Sequence, residues 1–530
     1  MSASMKRRKF LQNTAAAGTI LPIALGSHKL QAFGPNSMLG ALAKAAAQTD
    51  RVLVIIQLNG GNDGLNTLIP LDQYGNLSKV RQNVLIGDTK VLKLNGKTGT
   101  GLHPAMTGMQ TMYNDGLISA VQNVGYPNPN FSHFRSTDIW MSGSDSNVLE
   151  PSGWMGRYLD QVFPGFPTGY PNAAMSDPLA IQIGAGVSLT FMGPDMNMAM
   201  AITDPSSFYN LVTGNTDAAP STPAGKELTY IRTIAQQTQQ YGTVIKAAAS
   251  AGKNLATYPS ANPLADQLKI VAKLIHGGLK TPVYMVSQGG YDTHSAQVDT
   301  ADTSKGAHAT LLQRLSDAIK VFQDDLKLLG IQDRVAGMTF SEFGRRVMSN
   351  FSNGTDHGAA APLFVFGSSV NPGIIGNNPV IPSTVSVNDN VPMSYDFRQV
   401  YATVLKDWFG LSDGEVKTAM LGGTFQTLPI FKAGSTKLED FADLLSRISL
   451  DDPYPNPASG AAQVRFYTDG GQVELRLFDT MGSLIRIISE GRHRAGSHEL
   501  RLDLNGLRPG NYFLQLAQGN QRVTKTLVVR

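Results

Sequence analysis

The segment Val52–Leu58 restricts the possible folds of this chain more than any other feature of its sequence. It reads VLVIIQL, a nearly continuous apolar run, and the glycine-rich loop Asn59–Gly64 follows it directly. A short apolar run without alternation is typical of a central strand in a parallel sheet, where helices cover both faces. The segment therefore predicts a buried strand that ends where the glycines begin.

Strands alternate with helices along residues 45–450. Four more runs have the length and apolar character of strands, and two longer segments have helical periodicity. The alternation predicts an α/β domain with an open, mostly parallel sheet flanked by helices. Residues 165–262 show weaker periodicity, with many Pro, Gly and Met, so we predict an insertion or cap there. The further predicted strands are Leu117–Val124, Pro282–Ser287, Arg334–Phe340 and Pro362–Phe366, and the helices are His308–Leu329 and Tyr395–Phe409.

The character of the sequence changes after residue 450. The proline-rich stretch Asp452–Pro457 is typical of an extended linker. Short alternating segments follow, separated by Gly and Asn turns, and they predict a small β-sandwich over residues 451–530. The six predicted strands are Gln463–Tyr467, Gln472–Phe478, Leu484–Ser489, His498–Leu504, Asn511–Ala517 and Arg522–Val529.

The first 30 residues have the composition of an export signal. Basic residues cluster at Lys6–Lys9, and an apolar stretch from Thr14 to Leu25 follows them. A basic region before a short apolar region predicts a secretory signal over residues 1–30, because the apolar part is too short to span a membrane. A membrane anchor is the alternative interpretation. The rest of the sequence contains no apolar run long enough for a transmembrane span.

The charge distribution gives no indication of a nucleic-acid partner. The formal net charge is +4, but residues 1–30 hold five basic residues and no acidic ones. Residues 31–450 hold 29 basic and 32 acidic residues, so the predicted α/β domain is slightly acidic. The chain has no Cys, which excludes disulfides and thiolate metal sites.

Acidic residues and histidines follow four of the predicted strands. Because sites in open α/β sheets form outside the carboxyl ends of the strands, these residues are the main candidates for a functional site. Carboxylate and imidazole together suit Zn²⁺, Mn²⁺ or iron, whereas an all-oxygen set suits Ca²⁺ or Mg²⁺. Each residue could instead form a turn or lie on the surface. The candidates are Asp63, Asp292, His294, Glu342, Asp356 and His357.

Six stretches of the sequence form a recognisable set of motifs: VLVIIQLNGGNDGLNTLIPL, NFSHFRSTDIWMSG, GWMGRYLD, SQGGYDTHSAQ, TFSEFGRRVMSNFSNGTDHGAAAPLFVFG and DFRQVYATVLKDWFG. Together they resemble the alkaline phosphatase and sulfatase superfamily. They look most like its branch of twin-arginine-exported proteins with a domain of unknown function. The resemblance implies an alkaline-phosphatase-like fold and one or two divalent metal ions, Zn²⁺ or Ca²⁺.

The resemblance also implies roles for residues near the first two strands. Asp63 matches the acidic metal ligand that ends the first strand in the superfamily, with Asn62 as the alternative. Ser132 matches the nucleophile that opens a helix after the next strand, where a metal and the positive helix end can ionise a hydroxyl. Arg135, one turn later, could hold phosphate or sulfate oxygens. Ser132 could equally be an ordinary helix cap.

The later motifs imply the remaining metal ligands. Asp292 and His294 match an Asp and a His ligand of the superfamily. Glu342 stands where the superfamily has the Asp of an Asp-His-Gly motif, and Phe343 replaces the His of that motif and cannot bind a metal. The pair Asp356-His357 matches the final His ligand and an acidic neighbour. The loss at Phe343 weakens the case for a two-metal mechanism.

Both ends of the chain resemble known export signals. The motifs YPNP, LFDTMGSLI, LDLNGLRPGNYFLQL and KTLVV resemble the C-terminal sorting domain of type IX secretion in Bacteroidetes. That resemblance implies outer-membrane translocation by the type IX machinery, then release or attachment at the cell surface. The pair Arg7-Arg8, followed by Lys-Phe-Leu, resembles the twin-arginine signal, which implies the twin-arginine translocase as a partner.

The resemblance implies an exported, metal-dependent hydrolase of phosphate or sulfate esters that acts on a small ester or a surface glycan. The alternative is a non-catalytic cell-surface binding protein that keeps the same fold, since a fold does not fix a function. Metal content distinguishes the two, because the hydrolase requires a bound divalent ion and the binding protein does not.

Overall fold

The structure is a computed structural model of the chain. It describes residues 50–172, 175–205, 240–432 and 448–530 except 469, 481, 495, 519 and 520, together with the backbone of two short strands between residues 22 and 31. The chain divides into two compact units, Met1–Ser435 and Thr436–Arg530. The arginine pair of the predicted export signal lies outside the described residues. Among the described helices, none combines the length and apolar character needed to cross a lipid bilayer.

A nine-stranded sheet forms the centre of the first unit. The strands of this unit are β1 (Pro22–Leu25), β2 (His28–Gln31), β3 (Val52–Leu58), β4 (Leu68–Pro70), β5 (Leu92–Leu94), β6 (Lys97–Leu102), β7 (Ile118–Gly125), β8 (Ala180–Ile183), β9 (Met200–Ile202), β10 (Val283–Gln288), β11 (Val335–Ser341), β12 (Arg345–Ser349), β13 (Thr355–His357), β14 (Ala361–Phe366), β15 (Gly373–Ile375) and β16 (Tyr395–Asp396). The order in the large sheet is β15-β7-β14-β11-β3-β10-β8-β9, and β16 also pairs with β7.

The large sheet is mostly parallel, which confirms the predicted fold class. Strand β3 lies between β10 and β11 and is parallel to both. Only β14 runs antiparallel to its neighbours β7 and β11 among the strands of this sheet that the structure describes. An apolar run has the same pattern in either direction, so the sequence located β14 without fixing its orientation.

The predicted strand segments coincide with β3, β7, β10, β11 and β14 to within one residue at either end. The prediction of an insertion or cap at residues 165–262 needs correction for its described part. Strands β8 and β9 lie inside it and extend the sheet beyond β10 in the parallel sense. Strands of four and three residues are too short to leave a clear periodic signal in the sequence.

Helices cover both faces of the sheet. Alternate residues of β3 enter two separate apolar cores: Val52, Val54 and Ile56 contact one core, and Leu53 and Ile55 contact the other. The helices are α1 (Gly64–Thr67), α2 (Tyr74–Val80), α3 (Thr107–Asn114), α4 (His133–Ser142), α5 (Trp154–Val162), α6 (including residues 240–251), α7 (Pro263–His276), α8 (Ala307–Leu328), α9 (Phe397–Thr403), continued by a π-helical turn at Val404–Trp408, and α10 (Asp413–Ala419).

The second unit is a β-sandwich, as predicted. Its strands are β17 (Ser449–Leu450), β18 (Ala461–Thr468), β19 (Gly471–Phe478), β20 (Leu484–His493), β21 (Gly496–Asp503), β22 (Gly510–Gln518) and β23 (Gln521–Val529). They form the antiparallel sheets β17-β18-β21 and β20-β19-β22-β23. Inward residues of both sheets, among them Val464, Phe466, Leu475 and Leu514, share one core. Strand β17 lies just before the predicted boundary at residue 451.

Candidate metal centre

The ends of three adjacent strands bring most of the candidate residues together. Strands β11, β3 and β10 are neighbours and run in the same direction, so the loops that follow them lie at one edge of the sheet. The loop after β10 carries Asp292 and His294, and Glu342 follows β11 directly. The hairpin of β12 and β13, which comes next along the chain, carries Asp356 and His357.

Helix α4 adds a third histidine to this edge. The helix begins at His133, whose ring packs edge-on against the ring of His357 with 4.4 Å between centroids. Phe343 is buried and contacts both imidazoles, at 5.1 Å from the ring of His133 and 4.5 Å from the ring of His357. The residue that cannot bind a metal therefore helps to position two residues that can.

The carboxylate of Asp292 lies among the three imidazoles. Its Oδ1 is 3.2 Å from Nε2 of His294 and 3.2 Å from Nε2 of His357, and its Oδ2 is 3.5 Å from Nε2 of His133. The Nε2 atoms of His294 and His357 are 2.8 Å apart. Ligand atoms of His133, Asp292 and His357 all lie within 4.8 Å of one another. We name His133, Asp292, His294 and His357 the open cluster, because all four side chains are partly exposed.

The other ring nitrogen of two of these histidines faces an oxygen acceptor. Nδ1 of His294 is 2.9 Å from Oδ1 of Asp356, and Nδ1 of His357 is 2.7 Å from the carbonyl oxygen of Phe131. An imidazole that donates Nδ1–H to such an acceptor presents the lone pair of Nε2 on its other side. With those tautomers, the two Nε2 lone pairs point toward each other and toward a carboxylate, an arrangement that a shared proton or a bound cation would stabilise.

Glu342 stands behind the third histidine. It is buried, and its two oxygens accept hydrogen bonds of 2.8, 2.9 and 3.0 Å from the backbone N–H groups of Gly60 and Gly61. Its Oε1 is also 3.4 Å from Nδ1 of His133. Glu342 and Asp356 were predicted as direct ligands, but in the structure each faces the Nδ1 side of a histidine. Carboxylates in this position orient metal-binding imidazoles and raise their basicity.

The protonation states of Asp292 and His357 suit a metal site. Burial raises the pKa of Asp292, but the hydrogen bond and charge of Arg345, together with the neighbouring rings of His357 and His294, outweigh it and lower the pKa to about 2. Burial lowers the pKa of His357 below its usual value. Arg345 is buried and donates to Oδ1 of Asp292 at 2.9 Å, which fixes the carboxylate. At neutral pH Asp292 is ionised and His357 is neutral, the forms that bind metals.

Asp63 does not join the open cluster. Its two oxygens accept hydrogen bonds of 3.1 and 2.6 Å from Arg81, and Nε2 of Gln297 donates to Oδ2 at 2.6 Å. Burial raises the pKa of Asp63, but the charges of Arg81 and His308 and these hydrogen bonds lower it below its usual value. Asn62, the alternative ligand, faces Nε2 of His308 at 2.9 Å. An internal ion pair thus replaces the predicted metal contact. We name these five residues the buried cluster.

Ser132 and Arg135, the predicted nucleophile and substrate-binding residue, differ in their contacts. Ser132 is exposed and precedes α4 without making a side-chain capping bond, and its N–H donates to Oδ1 of Asn130 at 2.8 Å. The guanidinium of Arg135 donates to the carbonyl oxygens of Ser146 at 3.1 Å and Val148 at 2.5 Å. Arg135 therefore braces a loop, and the prediction that it binds substrate oxygens is not supported by its contacts.

Sequence reasoning overlooked His133, although a signal existed. The residue stands directly beside the predicted nucleophile at the start of a predicted helix, and the chain has only nine His. Arg81 and Gln297 left no such signal. They are 18 and 234 positions away from Asp63 in the sequence, and only the folded chain shows that they contact it.

The C-terminal part of the chain matches a known family of sorting domains. Residues 453–530 match the secretion system C-terminal sorting domain, a tail that directs type IX secretion to the cell surface or the extracellular space. No curated protein matches the chain.

Solved structures with low sequence identity are also similar to it. An alkaline phosphatase superfamily protein from Vibrio parahaemolyticus is 9% identical, with 84% of this chain and 89% of that chain covered and a TM-score of 0.34. A putative sulfatase from Bacteroides fragilis is 10% identical, with 87% and 90% covered and a TM-score of 0.31. The alkaline phosphatase of the Antarctic bacterium TAB5 is 7% identical, with 63% and 97% covered and a TM-score of 0.24. Similarities this weak say nothing about activity.

The family match covers most of the first unit. Residues 97–421 match the family described as "Protein of unknown function (DUF1501)", and this range includes the whole open cluster. The range is more than half of the 530 residues. The chain therefore belongs to this family.

Proposed function

We propose that this protein is an exported hydrolase of phosphate or sulfate esters that depends on one divalent transition metal. The observation that carries the proposal is the convergence of Nε2 atoms from His133, His294 and His357 on the carboxylate of Asp292. Without a cation or an added proton, the facing lone pairs of His294 and His357 at 2.8 Å would repel each other.

The donor set favours a borderline metal such as Zn²⁺ over Ca²⁺. It combines imidazole nitrogens with one carboxylate, whereas Ca²⁺ takes six to eight oxygen ligands. Among the described residues, a single group of three or more acidic or histidine side chains has the spacing of a metal site. The open cluster therefore supports one ion, because Asp63 is ion-paired with Arg81 and position 343 is a Phe.

A bound divalent cation would supply Lewis-acid stabilisation of negative charge on an ester oxygen. The chain itself contributes positioning and a nucleophile. Arg345 fixes the carboxylate of Asp292, and Asp356 fixes the ring of His294. Ser132 immediately precedes His133, and its exposed hydroxyl does not cap the helix, so it is our candidate nucleophile. The ester class rests on the motif resemblance, and the sorting tail supports action outside the cell.

The test is metal content combined with an ester screen on the mature protein. We expect about one divalent ion per chain after exposure to Zn²⁺, Mn²⁺ or Ca²⁺, with Zn²⁺ bound most tightly. Phosphomonoesters, phosphodiesters and sulfate esters are the substrates, with and without a chelator. His357→Ala should lose metal and activity together, whereas Ser132→Ala should lose activity and keep the metal.

Two outcomes would count against the proposal. Metal binding without hydrolysis of any ester would favour the surface-binding alternative, which uses the same fold without chemistry. Hydrolysis that persists unchanged in the presence of chelator and in His357→Ala would show that the open cluster is not the reacting centre.

A further inference from the structure

Gln297, a member of the buried cluster, contacts the two loops that carry Asp292, His294 and His357 of the open cluster. Its side chain is fully buried, and its Nε2 donates to Oδ2 of Asp63 at 2.6 Å. Its Oε1 accepts hydrogen bonds from the hydroxyls of Thr293 at 3.0 Å and Thr355 at 2.7 Å. Thr293 stands between Asp292 and His294 in the sequence, and Thr355 directly precedes the pair Asp356-His357. One side-chain amide therefore binds within two sequence positions of Asp292, His294 and His357, the members of the open cluster other than His133.

The charge of Asp63 determines which way this amide points. Asp63 is held as a carboxylate by Arg81, and a carboxylate only accepts hydrogen bonds. Gln297 must therefore present its NH₂ group to Asp63 and its oxygen to the other side. The hydroxyls of Thr293 and Thr355 must then both act as donors. The Asp63–Arg81 ion pair therefore sets the direction of all three side-chain hydrogen bonds of Gln297.

Backbone contacts show that the two loops are fastened together at the same place. The N–H of Thr355 donates to the carbonyl of Thr293 at 3.2 Å, and the N–H of Gln297 donates to the carbonyl of Asn353 at 2.8 Å. Nδ2 of Asn350 donates to the carbonyl of His294 at 2.8 Å. A Cβ added at Gly354 would lie 2.3 Å from that same carbonyl oxygen, so the loops are in close contact.

We propose that Gln297, oriented by the Asp63–Arg81 ion pair, is a positioning residue that sets the spacing of the two ligand loops and thereby the metal affinity of the open cluster. The effect on metal affinity rests on the proposed function, whereas the effect on the loops does not. Asp63, which the superfamily resemblance assigned as a metal ligand, therefore acts on the open cluster indirectly, through the hydrogen bond that it accepts from Gln297.

The experiment removes the two hydroxyl donors while keeping the shape of the side chains. Thr293→Val and Thr355→Val are compared with Thr281→Val, which removes a buried hydroxyl bond to the carbonyl of Pro178 just before the start of β10, at the opposite end of that strand. Thr355→Ser keeps the donor and serves as the rescue variant. Zn²⁺ affinity is measured on the full chain by competition with a chromophoric chelator, and amide hydrogen exchange is measured on the metal-free protein.

We expect Thr293→Val and Thr355→Val each to weaken Zn²⁺ binding by about 10-fold, and the double variant by up to about 100-fold, as for other outer partners of metal ligands. Each should also raise exchange about fivefold in residues 291–297 and 350–357 together, as expected for one lost hydrogen bond. Thr281→Val and Thr355→Ser should match the wild type in both measurements.

The outcomes separate this inference from the proposed function. If the wild type binds no Zn²⁺ but both loops exchange faster in the valine variants, the proposed function fails and the positioning role stands. If Zn²⁺ affinity and loop exchange are unchanged, or change equally in Thr281→Val, the positioning role is overturned whether or not the protein binds metal.

Discussion

The buried cluster and the open cluster lie at the same edge of one sheet and differ in how their charges are balanced. In the buried cluster, the single carboxylate of Asp63 is matched by Arg81, with both side chains about 1% exposed. Around the open cluster, the guanidinium of Arg345 pairs with the carboxylate of Asp292, whereas the carboxylates of Glu342 and Asp356 face the imidazoles of His133 and His294. The ends of the strands bring polar side chains to one edge of the sheet. Whether a group of them can accept a cation then depends on whether its negative charge is already balanced by an arginine.

The largest expected effect is a loss of stability when the ion pair of the buried cluster is broken. Arg81→Met leaves the carboxylate of Asp63 buried without its partner, which should lower the free energy of unfolding by about 3–5 kcal/mol. Lys320→Met is the matched control, because it breaks a partly exposed pair with Asp324 and should cost at most about 1 kcal/mol. Chemical denaturation of both variants measures the difference. Equal losses would show that the Asp63–Arg81 pair is no more important than a surface contact.

Removal of a ligand from the open cluster comes next. His357→Ala should weaken Zn²⁺ binding by more than about 100-fold, beyond the range for outer partners, and should lower the free energy of unfolding by less than about 1.5 kcal/mol. The control is His276→Ala, in the last turn of α7. Isothermal titration with Zn²⁺ and denaturation separate the two effects. An affinity that matches the control would remove His357 from the metal site.

Asp356 offers a smaller and more specific change. Asp356→Asn keeps an acceptor for Nδ1 of His294 but removes the negative charge, so Zn²⁺ affinity should fall by about 10-fold. Asp302→Asn removes a similar charge from a surface pair with Lys90 and should leave the affinity unchanged. The same titration compares them. A loss larger than that of His357→Ala would indicate that Asp356 binds the metal directly, as the sequence analysis proposed.

The loss of stability in Arg81→Met should depend on pH, because Arg81 controls the pKa of Asp63. In the wild type the pKa of Asp63 is lowered, so its stabilisation is present above the unfolded-state pKa and is lost as the pH falls through the folded-state pKa, below 3.8. Without Arg81, burial would raise that pKa instead. The penalty should then shrink between about pH 7 and pH 5, by about 1.4 kcal/mol for each pH unit below the raised pKa. Denaturation at both pH values checks this, and a constant penalty would contradict it.

The smallest expected effect concerns Ser132. Its hydroxyl does not cap α4, so Ser132→Ala should change the free energy of unfolding by no more than about 0.3 kcal/mol. Asn262→Ala is the comparison, because Asn262 caps α7 by accepting from the N–H of Ala265, and its loss should cost about 0.5–2 kcal/mol. Thermal unfolding distinguishes them. Equal losses would favour the ordinary capping role of Ser132.

The sequence predicted most of the fold because apolar patterning is local. The strand Val52–Leu58 was located to the residue, and the six alternating segments of the sandwich each correspond to an observed strand. Strand orientation was not predictable for β14, and the short strands β8 and β9 were missed. Neither property leaves a distinct period in the sequence.

The candidate site was predictable to the level of loops, not of individual contacts. Asp292, His294 and His357 do come together, because the carboxyl ends of neighbouring parallel strands meet at one edge. The sequence pattern could not show that Asp63 would pair with Arg81, or that Glu342 would accept hydrogen bonds from Gly60 and Gly61. Such contacts join residues that are distant in the sequence and adjacent only after folding.

The most direct test of the central claim is an anomalous difference map from Zn²⁺-soaked crystals, recorded at the zinc absorption edge. The proposed function predicts one strong peak within about 2.0–2.2 Å of an oxygen of Asp292 and of the Nε2 atoms of His133, His294 and His357. It predicts no peak at Asp63, where Arg81 supplies the positive charge. A peak at Asp63, or no peak among the three histidines, would contradict the account.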